Sequence, residues 1–229
     1  ILLFGYTYLS HLRVILSSRL RGIPLLLRGD SHDLARPRGV KEALKRRVRS
    51  VLFKRFAAFL AVGKANADYY RHSGVPEDRI HFVPHAVDND RFQALMPTAI
   101  EEARIWRREL GIAVDAQVVL FAGKFEDKKR PMDLLEAFLQ VQRGFLDGRQ
   151  PAPVLLFVGS GAWEARLRER AGSQPGKDVF FAPFQNQREM PKVYAAADLL
   201  VLPSVGSGET WGLAVNEAMA LGRPVLVST

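Results

Sequence analysis

Eight short runs of large apolar residues recur along the chain, at 25–27, 59–62, 80–83, 118–121, 154–158, 179–181, 199–202 and 225–227, without regular polar alternation. A strand that is apolar on both faces of its pleat must be covered on both. That condition is met by a parallel sheet with helices on either side. Amphipathic stretches fill the intervals, and the spacing predicts helices over about 6–21, 40–55, 64–73, 100–110, 131–143, 162–171, 187–196 and 213–221. Strand and helix alternating this often predict a doubly wound α/β architecture.

The alternation is interrupted at 84–100, where Pro84, the run Asp88-Asn89-Asp90 and Pro97 fall. Charge changes in the same place: residues 1–95 hold 17 Lys/Arg against 8 Asp/Glu, while 96–229 hold 16 of each. The expected organisation is two Rossmann-like domains, 1–95 and 96–229. Both are expected to be incomplete, because the chain opens at Ile1 on an apolar run and stops at Thr229 on a bare strand. A basic half suits nucleic acid, an anionic membrane surface or a phosphorylated substrate. The absence of cysteine excludes disulfides, zinc ribbons, iron–sulfur clusters and thiol nucleophiles. No apolar run approaches the length of a membrane span.

The densest segment for chemistry is 204–224, S-V-G-S-G-E-T-W-G-L-A-V-N-E-A-M-A-L-G-R-P. It follows a predicted strand, passes through a glycine-rich loop and opens a helix that stops at Gly222. Loops at the carboxyl ends of strands are where open α/β sheets bind ligands. The free N–H groups around Gly212, Leu213 and Ala214 suit a phosphate or sugar oxygen. Glu209 precedes the helix and Glu217 lies one turn inside it. Glu101 and Glu109 share that spacing on a charged helix, so spacing alone proves little; the surrounding loop and helix signals distinguish the second pair.

The stretch G-E-T-W-G-L-A-V-N-E-A-M-A-L-G-R-P-V resembles the donor-site signature of retaining GT-B glycosyltransferases of family four. That group includes sucrose-phosphate synthases and bacterial mannosyltransferases. The likeness rests on Glu209, Trp211, Gly212, Leu213, Glu217, Ala218, Met219, Ala220, Gly222 and Pro224; Thr210 stands where the family usually has glycine. Y-A-A-A-D-L-L-V-L-P-S, from 194 to 204, is similar to the family's preceding helix and strand. F-A-G-K at 121–124 with K-K-R-P at 128–131 is similar to its phosphate-facing pair, Lys124 taking the place of an arginine and Lys129 that of a lysine. Lysine lacks arginine's bidentate fork, which predicts a looser contact at 124. V-G-S-G at 158–161 resembles a further strand-to-helix turn of the family, and 83–92 its segment before the interdomain linker.

The resemblance implies a GT-B fold of two Rossmann-like domains facing a cleft, and an enzyme of bacterial type. It also implies roles. Lys124 and Lys129 neutralise the departing diphosphate, Glu209 and the backbone of Thr210, Trp211, Gly212 and Leu213 hold the hexose, and Glu217 takes the ribose hydroxyls. The base is expected near 182–184. On the acceptor side, L-L-L-R-G-D-S-H at 25–32 is a strand running into a polar loop, and both Asp30 and His32 are candidates to face the reacting sugar carbon.

His81 and His85, roughly 13 Å apart by strand rise, are too distant to share an ion. No metal site or resident cofactor is therefore expected; the nucleotide-diphospho-sugar is the donor substrate. The expected function is transfer of a hexose-type sugar to an acceptor hydroxyl with retention, in envelope, lipopolysaccharide or exopolysaccharide synthesis. The alternatives are a nucleic-acid-binding module, a non-catalytic relative or a GT-B epimerase. The basic residues cluster on one helix without a reader motif, which disfavours nucleic acid.

That helix, 40–56, places Val40, Leu44, Val48 and Val51/Leu52 along one stripe. Lys41, Lys45 and Arg49, continued by Phe53, form the adjoining row. Basic residues beside an exposed aromatic suit an anionic leaflet. The expectation is a cytoplasmic protein, peripheral on the inner face of the membrane, serving a saccharide or lipid-linked acceptor.

Overall fold

The computed structural model describes residues 1–33, 39–145, 152–172, 178–205 and 211–228. They form two compact units, Ile1–His85 and Ala86–Thr229. The first contains β1 (Leu2–Phe4), α1 (Leu9–Leu20), β2 (Leu26–Gly29), α2 (Val40–Phe53), β3 (Ala58–Ala61), α3 (Lys64–His72) and β4 (Ile80–Phe82). Its strands are all parallel, in the order β1-β2-β3-β4. The register sets Leu27 opposite both Leu3 and Phe59, and these join Phe53, Phe56, Tyr69 and Tyr70 in one core. Phe53 meets Phe56 and Tyr70 edge to face, at centroid distances of 6.3 and 6.0 Å, a geometry that adds about 0.5–1.5 kcal/mol beyond area burial.

The second unit contains α4 (Asn89–Glu109), β5 (Val118–Ala122), α5 (Pro131–Arg143), β6 (Val154–Val158), α6 (Glu164–Gly172), β7 (Val179–Ala182), α7 (Met190–Ala195), β8 (Leu199–Leu202), α8 (Leu213–Ala220) and β9 (Val225–Val227). The strands are again parallel, ordered β7-β6-β5-β8-β9. Leu120, Leu156 and Leu200 point to a core shared with Phe92 of α4, Tyr194 of α7 and Ala218 of α8. Phe121, Leu155, Phe157 and Val201 point to a second core with Leu135 of α5 and Leu167 of α6. On β5, β6 and β8 both pleat faces are covered, which is the physical reason these strands read as unbroken apolar runs.

The compact units divide at His85/Ala86, within the 84–100 interval where the alternation is interrupted. Two expectations need correction. The helix expected to begin at 100 begins at Asn89 and passes through Pro97. The Asp88 carboxylate accepts the Arg91 N–H at 2.9 Å, so it caps the helix start. Buried Phe92, Ala99 and Ala103 then anchor the helix to the core. Pro97 and Gln93 are exposed, so water can take the Gln93 carbonyl that proline leaves without an intrahelical donor.

The second correction concerns α2. Arg49 is 8% exposed, donates to the Glu42 carboxylate at 2.9 Å and lies 5.2 Å from the Tyr69 ring centroid. Phe53 is 3% exposed, within the aromatic core. Both belong to the buried side of the helix, so neither contributes to a solvated basic row. The apolar stripe is what faces outward: Leu44 is 63% and Val48 62% exposed. A guanidinium can be buried when a carboxylate and an aromatic face satisfy it. Periodicity does not reveal that such partners exist.

Candidate active site

In the second unit, chain order reverses between β5 and β8, and the loops at their carboxyl ends lie side by side. This is the topological switch point, where open α/β sheets bind ligands. The loop after β5 carries Lys124, Lys128 and Lys129, and the loop after β8 leads towards Trp211 and α8. The Val205 N–H donates to the Lys128 carbonyl at 2.9 Å, tying the two loops together. Ser228, just after β9, donates its hydroxyl to the Ser204 carbonyl on the other side.

The lysine loop is fixed by backbone contacts. The Gly123 N–H donates to the Val158 carbonyl, the Phe125 N–H to the Ser160 carbonyl, and the Trp163 N–H to the Phe125 carbonyl. These bonds require close approach by the turn at 159–161. A Cβ on Gly159 would lie 2.0 Å from the Gly123 carbonyl oxygen, and Gly159 has φ +147°. The turn therefore braces the backbone on both sides of Lys124. Lys124 is exposed and Lys129 half-buried. The Lys129 N–H donates to the Glu126 carbonyl at 3.0 Å, and Lys128 pairs with the Glu126 carboxylate at 3.3 Å. Arg130 follows at φ 51°, ψ 44°, a left-handed conformation uncommon for a residue with a side chain. Strained residues of this kind cluster at functional sites.

Glu209 and Thr210 lie outside the described residues. Trp211 donates its indole N–H to Asn216 Oδ1 at 3.0 Å across the first turn of α8. Gly212 is the N-cap, left-handed at φ 73°, ψ 57°; a Cβ there would meet Leu202 Cδ2 at 3.2 Å. Glycine is therefore needed to turn the chain into the helix beside β8. Leu213 is exposed and Ala214 half-buried, and no acidic side chain stands in the first turn. A helix start of this kind suits an incoming anion or hydroxyl.

Glu217 is buried, with 8% exposure. Its Oε1 accepts from Gln187 Nε2 at 2.8 Å and its Oε2 from the Tyr194 hydroxyl at 2.6 Å. Burial first, and then the negative charge and hydrogen bond of Glu217, push the Tyr194 hydroxyl far above the usual phenol range. It therefore remains a proton donor to the carboxylate. Neither partner is among the site residues expected from the sequence, where Gln187 opens the helix predicted over 187–196 and Tyr194 heads the Y-A-A-A-D stretch. The tyrosine at the head of Y-A-A-A-D was the available signal. At the end of β7, Phe184 is 73% exposed.

The first unit holds a cavity of about 380 Å³ at the carboxyl ends of its strands, walled by Tyr6, Asp30, Ser31, Tyr69, Tyr70 and His85 among others. Asp30 lines it; His32 is half-buried two residues on and is not among the lining residues. The loop is set by Asn66, which accepts the Val62 N–H at 3.1 Å and donates to the Ser31 carbonyl at 2.7 Å. The Tyr6 and Tyr69 hydroxyls bond each other on the wall. Burial pushes the Tyr70 hydroxyl up to about 12.

Residues 102–229 match the profile of the family described as glycosyl transferases group 1, and residues 2–91 that of Glycosyltransferase Family 4. Among curated relatives, the D-inositol 3-phosphate glycosyltransferase of Xylanimonas cellulosilytica is 34% identical over 70% of this chain and 37% of its own length. That of Geodermatophilus obscurus is 35% identical over 69% and 34%. The chain thus spans little more than a third of the length of these relatives. Among solved structures, Anabaena HepE in complex with UDP superposes at a TM-score of 0.71, with 20% identity over 98% of this chain and 58% of that one. WaaG, a glycosyltransferase involved in lipopolysaccharide biosynthesis, gives 0.64, with 20% identity over 95% and 63%. The fold is that of the GT-B glycosyltransferases.

Proposed function

The chain belongs to the glycosyl transferases group 1 family, and from that premise we propose that it moves a hexose-type sugar from a nucleotide-diphospho-sugar to an acceptor hydroxyl. The transfer retains configuration at the sugar carbon and serves envelope or exopolysaccharide glycan synthesis. The bond from the Val205 N–H to the Lys128 carbonyl carries this reading, because it ties the turn bearing Lys129 to the loop that leads to Glu209. Solved neighbours in complex with UDP and with UDP-glucose support a uridine nucleotide as the first donor to test. WaaG supports the envelope role.

Each residue has a step. Lys124 and Lys129 neutralise the charge that grows on the leaving diphosphate, the task a divalent ion would otherwise perform. The N–H groups of Leu213 and Ala214 and the carboxylate of Glu209 hold the sugar, with Thr210, Trp211 and Gly212 shaping the backbone around it. Glu217 takes the ribose hydroxyls. The acceptor hydroxyl attacks from the face the diphosphate leaves, and its proton passes to the diphosphate. Much of the rate then comes from positioning and charge stabilisation. On the acceptor side, Asp30, on the cavity wall, and His32 are the candidates to face the reacting carbon. Calorimetric titration with UDP, GDP and ADP and their glucose and mannose conjugates, with and without EDTA, tests the donor assignment. Binding of one nucleotide series that survives EDTA is expected; no binding in any series would refute it.

Glu217→Gln is the sharper probe of the ribose contact. A hydrogen bond to a charged group contributes about 1.5–3 kcal/mol, so donor affinity should fall by about tenfold or more. Ground state and transition state share the contact, so turnover at saturating donor should change little. Equal donor affinity in the variant would remove Glu217 from the site.

The reading extends to attachment at an anionic membrane surface. Leu12 and Leu16 of α1 and Leu44, Val48 and Val51 of α2 line an open apolar groove of about 510 Å³, with Arg47 and Arg55 also on its wall. Lys45, Arg46 and Lys54 are exposed nearby. Apolar side chains flanked by cations suit the boundary between headgroups and acyl chains, and each basic residue near such a surface contributes about 1 kcal/mol. The contact proposed is peripheral, on the cytoplasmic leaflet; among the described residues no helix is long and apolar enough to cross a membrane. Vesicle sedimentation at low salt should show binding to anionic but weak binding to neutral vesicles. Equal binding to both would overturn the electrostatic part.

A further inference from the structure

Both oxygens of Glu217 are engaged, by donors of opposite character. Tyr194 is 1% exposed and sits in the core between α7 and the sheet, so its hydroxyl cannot swing away from Oε2. Gln187 is an exposed residue of the loop before α7, and its amide reaches Oε1 at 2.8 Å. Among the described residues, Arg91 donates to its main-chain carbonyl at 3.4 Å. One oxygen is thus anchored from inside and the other capped from outside by the side chain of an exposed loop residue.

A buried carboxylate left without donors carries a large desolvation penalty. Before a ligand arrives, Gln187 removes that penalty. A hydroxyl of an incoming ribose can take its place at no loss in the number of hydrogen bonds. Tyr194 keeps the carboxylate in one orientation throughout, and its high proton affinity makes it a donor across the physiological range.

We infer that Tyr194 is a positioning residue presenting Glu217 to the ribose of the donor, and that Gln187 is a placeholder on the same carboxylate which the ribose displaces. This rests on the donor-site reading above. A purely structural role for the Tyr194–Glu217 bond, pinning α7 to α8, predicts lost stability with no change in ligand preference.

The test is calorimetric titration of the intact protein and its variants with UDP and with 2′,3′-dideoxy-UDP, alongside thermal melts. The wild-type protein should prefer UDP. Tyr194→Phe should narrow that preference by about tenfold, the worth of a hydrogen bond to a charged group. In a Glu217→Gln background the same substitution should leave the preference nearly unaltered, because the oriented carboxylate is already gone. Gln187→Ala should bind UDP as tightly as wild type or more tightly. A Tyr194→Phe protein that melts lower yet keeps the full preference overturns the positioning role. A Gln187→Ala protein that binds UDP more than about tenfold weaker makes Gln187 a direct ligand contact and overturns the placeholder. The Gln187→Ala titration keeps the inference refutable if the tyrosine variant does not fold. A wild-type protein that binds none of UDP, GDP and ADP would refute the donor-site reading itself.

Discussion

Replacing Lys129 by alanine is expected to lower turnover by about a hundredfold to a thousandfold, with donor affinity changed far less. Charge on the diphosphate grows as the sugar–oxygen bond breaks, so a cation beside it acts more strongly on the transition state than on the bound donor. Lys128 is a poor substitute, since its ammonium pairs with the Glu126 carboxylate at 3.3 Å. Lys124 remains in place, braced by the 159–161 turn, and accounts for the residual rate. Lys129→Arg keeps the charge and should recover much of the loss. Steady-state kinetics at saturating acceptor makes the comparison. Unaltered turnover in Lys129→Ala would sink the diphosphate clamp and the catalytic reading of that loop.

Gly159→Ala should destabilise the second unit by about 3 kcal/mol, the upper range for forced overpacking. The added Cβ would lie 2.0 Å from the Gly123 carbonyl oxygen, at a positive φ that an alanine resists as well. The obstacle is backbone on a sheet strand's end, which cannot rotate aside as a side chain would. For a unit of this size the melting temperature should drop by roughly 10 °C. The surviving folded protein should also lose activity beyond its loss of stability, because the backbone that must move carries Lys124. Gly222→Ala is the control: that glycine has a positive φ but nothing within 4 Å of an added Cβ. A Gly159→Ala protein that melts like wild type would show that the two loops can part at little cost.

The strands were legible from residue order because burial on both pleat faces leaves a local trace, an unbroken apolar run, clearest at β5, β6 and β8. A ninth strand among the described residues, β1, is the apolar run on which the chain opens. The lysine turn and the glutamate helix were legible for a similar reason. Each is a short contiguous pattern at a strand end, and the parallel sheet then brings such ends to one edge. What residue order did not determine is who meets whom across distance. Glu217 finds its two donors 23 and 30 positions away, and Gly159 abuts Gly123 from the neighbouring strand. The start of α4 depended on Phe92 having a core to enter, which outweighed Pro97. The outward face of α2 depended on Glu42 and Tyr69 being placed to satisfy Arg49, so that Arg49 and Phe53 turned inward and the apolar stripe outward. Periodicity fixes which residues share a face. Which face is buried is settled by the partners that tertiary packing supplies.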